Sequence, residues 1–162
     1  MPTVKVSSQI AAPVERVFQI FTDIDQGAAH VSGIKKIERL TPGRFSLGTR
    51  WRETRETLGR PDDAEMEVTG FELNRTYTIT HHKAGVRMDA QFTFEPAPGG
   101  TTVSIEFGLG HQGLPPGLLS PIEWAIAGKV RDVLTHDLAD LKEWSEKLAG
   151  TSPVQPSYST TS

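Results

Sequence analysis

Residues 86–110 read VRMDAQFTFEPAPGGTTVSIEFGLG, and two alternating runs meet there across a Pro-Gly-Gly break. Met88, Ala90, Phe92 and Phe94 alternate with Asp89, Gln91, Thr93 and Glu95, while Val103, Ile105, Phe107 and Leu109 alternate with Ser104, Glu106 and Gly108. Successive side chains of a strand point to opposite faces, so the pattern predicts antiparallel strands with one apolar and one polar face.

The same period reaches back to Gly48. Breaks at Gly59-Arg60-Pro61, Leu73-Asn74-Arg75, Ala84-Gly85 and residues 96–100 cut this region into strands of about 8 to 11 residues. Met66 and Val68, then Tyr77 and Ile79, continue the apolar face, and the opposite face of Thr, Ser, Glu and Gln suits water. A further strand is predicted from about Ile34 to Leu40, after the break at Gly33.

One apolar sheet face needs a cover. Leu119, Ile122, Ile126, Val130, Val133, Leu134, Leu138 and Leu141 form a helical stripe, predicting a helix of about 25 to 30 residues that supplies it. At the other end, Val4, Val6 and the Ile10 region alternate as a strand. Val14, Val17, Phe18 and Phe21 then recur at helical spacing, with Pro13 expected in the first turn, where its missing N–H costs nothing. A second short helix or loop follows through residues 25–30. The expected architecture is α+β in the order β-α-α-β6-α, a curved antiparallel sheet wrapped around a long C-terminal helix with an internal cavity.

At 162 residues the chain has the length of one ordinary domain, placed at 1–149. Residues 150–162 are almost free of apolar side chains and read as a disordered tail. The net charge of −3 is interspersed along the chain, leaving no basic stripe for nucleic acid. There is no cysteine, hence no disulfide or thiolate chemistry, which fits a reducing compartment. No apolar signal core and no membrane-length apolar run occur, so the expected location is cytoplasmic, with no integral membrane segment. The pattern fixes no oligomeric state.

Several short motifs recur in a recognisable order: Ile10-Ala11-Ala12-Pro13 with Val17-Phe18 and Thr22-Asp23; Gly48-Thr49-Arg50; Val68-Thr69-Gly70-Phe71-Glu72; Phe92-Thr93-Phe94-Glu95 with Gly99-Gly100-Thr101; and residues 137–142. Over residues 3–148 this order resembles the START-like superfamily of helix-grip domains, which includes plant pollen allergens, and within it the bacterial polyketide cyclase/dehydrase and lipid-transport group. The resemblance implies the helix-grip fold and says little about function. Where such sequences usually carry a Trp between the second helix and second strand, His30 stands here, which implies a polar group near the cavity mouth.

Polar residues on the apolar register are the candidates for chemistry, because an unpaired buried charge costs several kcal/mol. On the third strand Trp51, Glu53 and Arg55 share a face, and Trp51 selects it over the face of Arg50, Arg52, Thr54 and Glu56. His81 follows Tyr77 and Ile79 inward. Asp137 falls about 20° from the centre of the helix stripe at 100° per residue from Val130. Glu53, Arg55, His81 and Asp137 are thus expected either to form a polar patch in the cavity, or to be divided between a structural ion pair and a half-exposed His81. Tyr77 reads as a core aromatic or, alternatively, a phenol donor. The expected cavity lining is Trp51, Glu53, Arg55, Met66, Val68, Tyr77, Ile79, His81, Met88, Ala90, Phe92, Ile105, Phe107, Ile126, Val130, Val133 and Asp137.

A metal site is not expected. His81 and His82 point to opposite faces, and His136 and Asp140 lie off the apolar stripe. The glycines from Gly108 to Gly117 lack the dinucleotide fingerprint, and no Gly-x-Ser-x-Gly elbow occurs, so no cofactor and no serine hydrolase is expected. His30 and His111 fall in expected loops near the entrance, and residues 108–117 and 59–63 read as lids. No residue is assigned as catalytic. Three functions fit: binding or transport of a small hydrophobic molecule such as a lipid, isoprenoid or polyketide; a cyclase, aromatase or dehydratase with His81 or Asp137 as base and Arg55 or Tyr77 as donor; or a co-chaperone-like interaction module.

Overall fold

The computed structural model describes residues 3–83, 85–111 and 121–149, with side chains described except at 3, 110, 111, 121–127, 148 and 149. The predicted tail, Ile126's side chain, most of the 108–117 segment and the side chain of His111 fall outside this description. Within it, β1 (Thr3–Ile10) leads into α1 (Val14–Thr22), a 3₁₀ turn (Ile24–Gln26) and α2 (Gly27–His30). Six strands follow: β2 (Ile34–Arg39), β3 (Arg50–Thr57), β4 (Arg60–Glu72), β5 (Thr76–Lys83), β6 (Val86–Ala97) and β7 (Gly100–His111). Helix α3 (Pro121–Ala149) completes the fold.

The strands form one curved, unclosed antiparallel sheet in the order β1-β7-β6-β5-β4-β3-β2, with α3 lying against β1 and α1. This is the helix-grip arrangement. The alternation explains it: Val68, Tyr77, Phe94, Val103 and Ile105 are buried on the concave face, while Arg52 reaches Glu38 at 2.9 Å on the other. Phe18 of α1 anchors the core, its ring meeting Phe71, Tyr77 and Phe94 edge-on at 5.9, 5.9 and 5.1 Å. Such pairs contribute about 0.5–1.5 kcal/mol each beyond their burial.

Local details depart from the period-two reading. The β3–β4 turn is Leu58-Gly59, with φ of 52° and 76°, so Arg60 and Pro61 already belong to β4 and pair with Thr57 and Glu56. Residues 60–63 are therefore strand rather than lid. A bulge between Val68 and Gly70 shifts the parity of β4, and Phe71 thereby joins the core beside Phe18 and Phe45. Pro13 stands just ahead of α1 as an extended N-cap instead of inside its first turn. At Gly100 a Cβ would lie 2.0 Å from the Ile10 carbonyl oxygen, so only glycine lets β7 approach β1 there.

Candidate functional site

Between α3 and strands β3 to β7 lies a cleft of about 480 Å³, within the roughly 300–1,000 Å³ typical of small-molecule sites. Trp51, Met66, Ile79, Met88, Ala90, Phe92, Phe107, Val130, Val133 and Leu134 give it apolar walls. Its polar residues are Glu53, Arg55, Thr57, Asp62, His81, Lys83, Lys129 and Asp137. A smaller chamber of about 110 Å³ lies under α1 and α2, bounded by Ile20, Phe21, Val31, Ile37, Phe45, Tyr77, Ile105 and Leu141 among others. Trp51, Glu53, Arg55, Ile79, Phe92, Leu134 and Asp137 line both spaces and so make the partition between them.

The centre of that partition is an ion cluster. Arg55 Nη1 and Nη2 donate to Asp137 Oδ1 and Oδ2 at 3.1 and 2.7 Å, and Nε donates to Glu53 Oε2 at 2.8 Å. Glu53 and Arg55 are two apart on β3 and therefore share its inward face, while the apolar stripe of α3 carries Asp137 opposite them. The side chains of Arg55, Glu53 and Asp137 are only 25, 10 and 14 % exposed. Burial acts to lower the guanidinium's proton affinity, but hydrogen bonds and charge from Asp137 and Glu53 outweigh it, holding Arg55 protonated well above its ordinary value. Gly33, at the turn before β2, makes room, since a Cβ there would stand 2.9 Å from Arg55 Nη1.

His81 lies across the cleft with Nδ1 placed 3.3 Å from the Glu65 carbonyl oxygen, to which the Nδ1–H tautomer donates. Burial, then the Lys83 charge, lowers its pKa against the opposing pull of Asp62, which favours the neutral ring. Lys83 is salt-bridged to Asp62, and this hydrogen bond lowers the carboxyl pKa of Asp62. Burial pushes the Tyr77 phenol up; its ring stacks on Phe92 at 4.5 Å.

The family model described as polyketide cyclase / dehydrase and lipid transport matches residues 1–151. The chain belongs to that family. Solved structures similar to it include TTHA0849 from Thermus thermophilus, with a TM-score of 0.73 at 18% identity, covering 93% of this chain and 100% of that one. A START superfamily protein from Mycobacterium smegmatis has a TM-score of 0.69 at 20% identity, covering 90% and 98%. The Zhui aromatase/cyclase from Streptomyces sp. R1128 has a TM-score of 0.69 at 17% identity, covering 90% and 94%. At these identities the likenesses bear on the fold alone. No curated protein matches the sequence.

For this member of the polyketide cyclase/dehydrase and lipid-transport family, most of the residues expected to line one cavity do meet around the cleft, with exceptions. Tyr77 and Ile105 face the smaller chamber only. Val68 lines neither space and is buried in a cluster with Trp51 and Ile24. His30 is no mouth residue: it is 9 % exposed, its ring lies 4.6 Å from Trp144, and its buried Nδ1 has no hydrogen-bond partner among the described residues. Burial lowers its pKa, against a weaker opposing pull from Asp23. His136 and Asp140 meet Ser32, whose Oγ lies 2.9 Å from His136 Nε2 and 2.9 Å from Asp140 Oδ2, tying the turn before β2 to α3. Among the described residues no group of acidic, His or Cys side chains could hold a metal ion, and no helix is long and apolar enough to cross a membrane.

Asp62, Lys83 and Lys129 are cleft residues the sequence reading omitted. Continuing the alternation from Tyr77 through His81 reaches Lys83. Counting back from Met66 reaches Asp62, once the turn is placed at Leu58-Gly59 rather than extended to Pro61.

Proposed function

We propose that this chain binds a small hydrophobic molecule, such as a lipid, isoprenoid or polyketide, in the cleft between sheet and α3. The carrying observation is a cleft of about 480 Å³ with largely apolar walls, beside which Val133 on the inner stripe of α3 remains 37% exposed. Covering such walls yields about 25 cal/mol per Å² of apolar surface, offset by the ordering of ligand and side chains. The family description, which names lipid transport, supports the same reading, and the cysteine-free composition supports a reducing, cytoplasmic setting. Native mass spectrometry, followed by titration with hydrophobic small molecules under amide NMR, tests it. Saturating shifts along β5 and around residues 129–137 are expected. A folded protein showing no shift there with any of them would overturn the proposal.

One observation favours a second reading, a cyclase-type or dehydratase enzyme. His81 presents a neutral imidazole to the same cleft as Arg55, the pairing of base and cation needed to take a proton beside a carbonyl and stabilise the enolate. Asp137, with both oxygens held by Arg55, is the weaker candidate for base. Under this reading a poly-β-ketone model substrate is converted by the wild type, and His81→Ala loses at least about a hundredfold in rate. Binding without conversion would leave the carrier reading alone.

A further inference from the structure

Glu53 is 8% exposed, yet only its Oε2 is engaged, by Arg55; Oε1 has no hydrogen-bond partner among the described residues, and the side chain lines the cleft. Each guanidinium nitrogen of Arg55 already donates once to a carboxylate oxygen, leaving one further N–H on each of Nη1 and Nη2, and both Asp137 oxygens accept from it. Two carboxylates facing one guanidinium leave the partition with one net negative charge. Towards solvent, Lys83 and the Thr57 hydroxyl both donate to Asp62, while Lys129 is exposed. His81 spends Nδ1–H on the Glu65 carbonyl, which leaves Nε2 an acceptor in the neutral ring. Beside Glu53 the available oxygen is therefore an acceptor within a cluster of one net negative charge, while Lys83 and Lys129 bring the cleft lining as a whole to zero.

Resting on the reading of the cleft as a ligand site, we propose that the ligand presents a hydrogen-bond donor, a hydroxyl, phenol or amine, to Glu53, and that the same site discriminates against carboxylates. A donor satisfies the idle Oε1 by a charge-assisted bond. A carboxylate brought to the same place meets an unpaired like charge, the kind of contact that sets specificity by repulsion.

Calorimetric titration of the full chain at pH 7 with decanol, decylamine and decanoate, which share one apolar tail, separates the possibilities. Decanol and decylamine are expected to bind at least about tenfold more tightly than decanoate. Glu53→Gln, which keeps an acceptor but removes the charge while Asp137 still holds Arg55, is expected to bring decylamine and decanoate within about threefold of each other. If that variant does not fold, as judged by circular dichroism, the wild-type ratios decide. Decanoate binding as tightly as decanol, or a folded Glu53→Gln protein with an unchanged ratio, would overturn the inference while leaving the ligand site standing. No binding of any of the three by folded protein would remove both.

Discussion

Helix α3 carries one apolar stripe but leads two lives. Towards its C-terminal end Leu138 and Leu141 are 4% and 9% exposed, packed on the Phe18 core and against Val31 and Ile34 beside α2. One to two turns earlier, Val130 and Val133 lie over the cleft, and Val133 is 37% exposed. The amino-acid types are alike; what differs among the described residues is how completely other elements cover them, Val130 touching the cluster of Val4, Phe107 and Leu109 on one side while Val133 stays open. The covered half holds the domain together, and Val133 leaves apolar surface for something else to cover.

That contrast is open to direct attack, most severely at the boundary between the two halves. Arg55→Met leaves Glu53 and Asp137 facing each other without their shared cation and is expected to cost about 3–5 kcal/mol in urea unfolding. A cost below about 1 kcal/mol, the worth of a surface pair, would mean that the cluster is solvated and no true partition. Next comes the pair Leu138→Ala and Val133→Ala. The first opens a cavity in the core and should cost about 2–5 kcal/mol. The second should stay within about 0.5 kcal/mol of wild type while weakening decanol binding several-fold. Equal losses of stability at both positions would erase the distinction drawn along α3.

A smaller effect belongs to His30, sealed between α2 and α3. Its folded-state pKa is lowered from 6.5, so the unfolded chain binds the proton more readily. The stability it permits is complete above pH 6.5 and is lost as the pH falls through the lower folded value. His81 shifts in the same direction, so His30→Phe should flatten the acid side of the stability profile in part. A profile unchanged in slope would show that His30 is hydrated in solution. Smallest of all, Leu58 is 91% exposed in a left-handed conformation at a turn suited to Asn-Gly, and Leu58→Asn should raise stability by up to about 1 kcal/mol, read from the urea midpoint.

The strands of the concave face were legible because each inward residue obeys a period of two, from Met88 to Phe94 and again from Val103 to Leu109. Phe71 escaped because a bulge changes parity, and its one mark in the sequence is the lone Gly70 inside the strand. Arg60 and Pro61 looked like part of a turn because Pro usually punctuates, yet Pro61 sits within a long strand. Glu53, Arg55 and Asp137 could be placed on inward faces from spacing alone. Spacing does not report distance across the fold, however, so it did not show that Arg55 holds both carboxylates at once. His30 was misplaced for a related reason: no local pattern in a four-residue helix reveals that Trp144, far along the chain on α3, closes over it.

The strand order has a kinetic consequence. Among the described residues β1 forms one edge of the sheet and pairs only with β7, Thr3 opposite Gly108 and Ile10 opposite Thr101. Strands β3 to β7, by contrast, can zip neighbour to neighbour through short turns, and β2 joins β3 across the segment 40–49. Because β1 precedes β7 in the chain, it must wait for β7 to be made before it can pair, leaving Val4, Val6 and Ile10 without that strand until then. Closing so long a loop is the entropically expensive step, and topologies rich in such contacts fold on the order of milliseconds to seconds rather than microseconds. The seam between β1 and β7 is where folding is expected to finish.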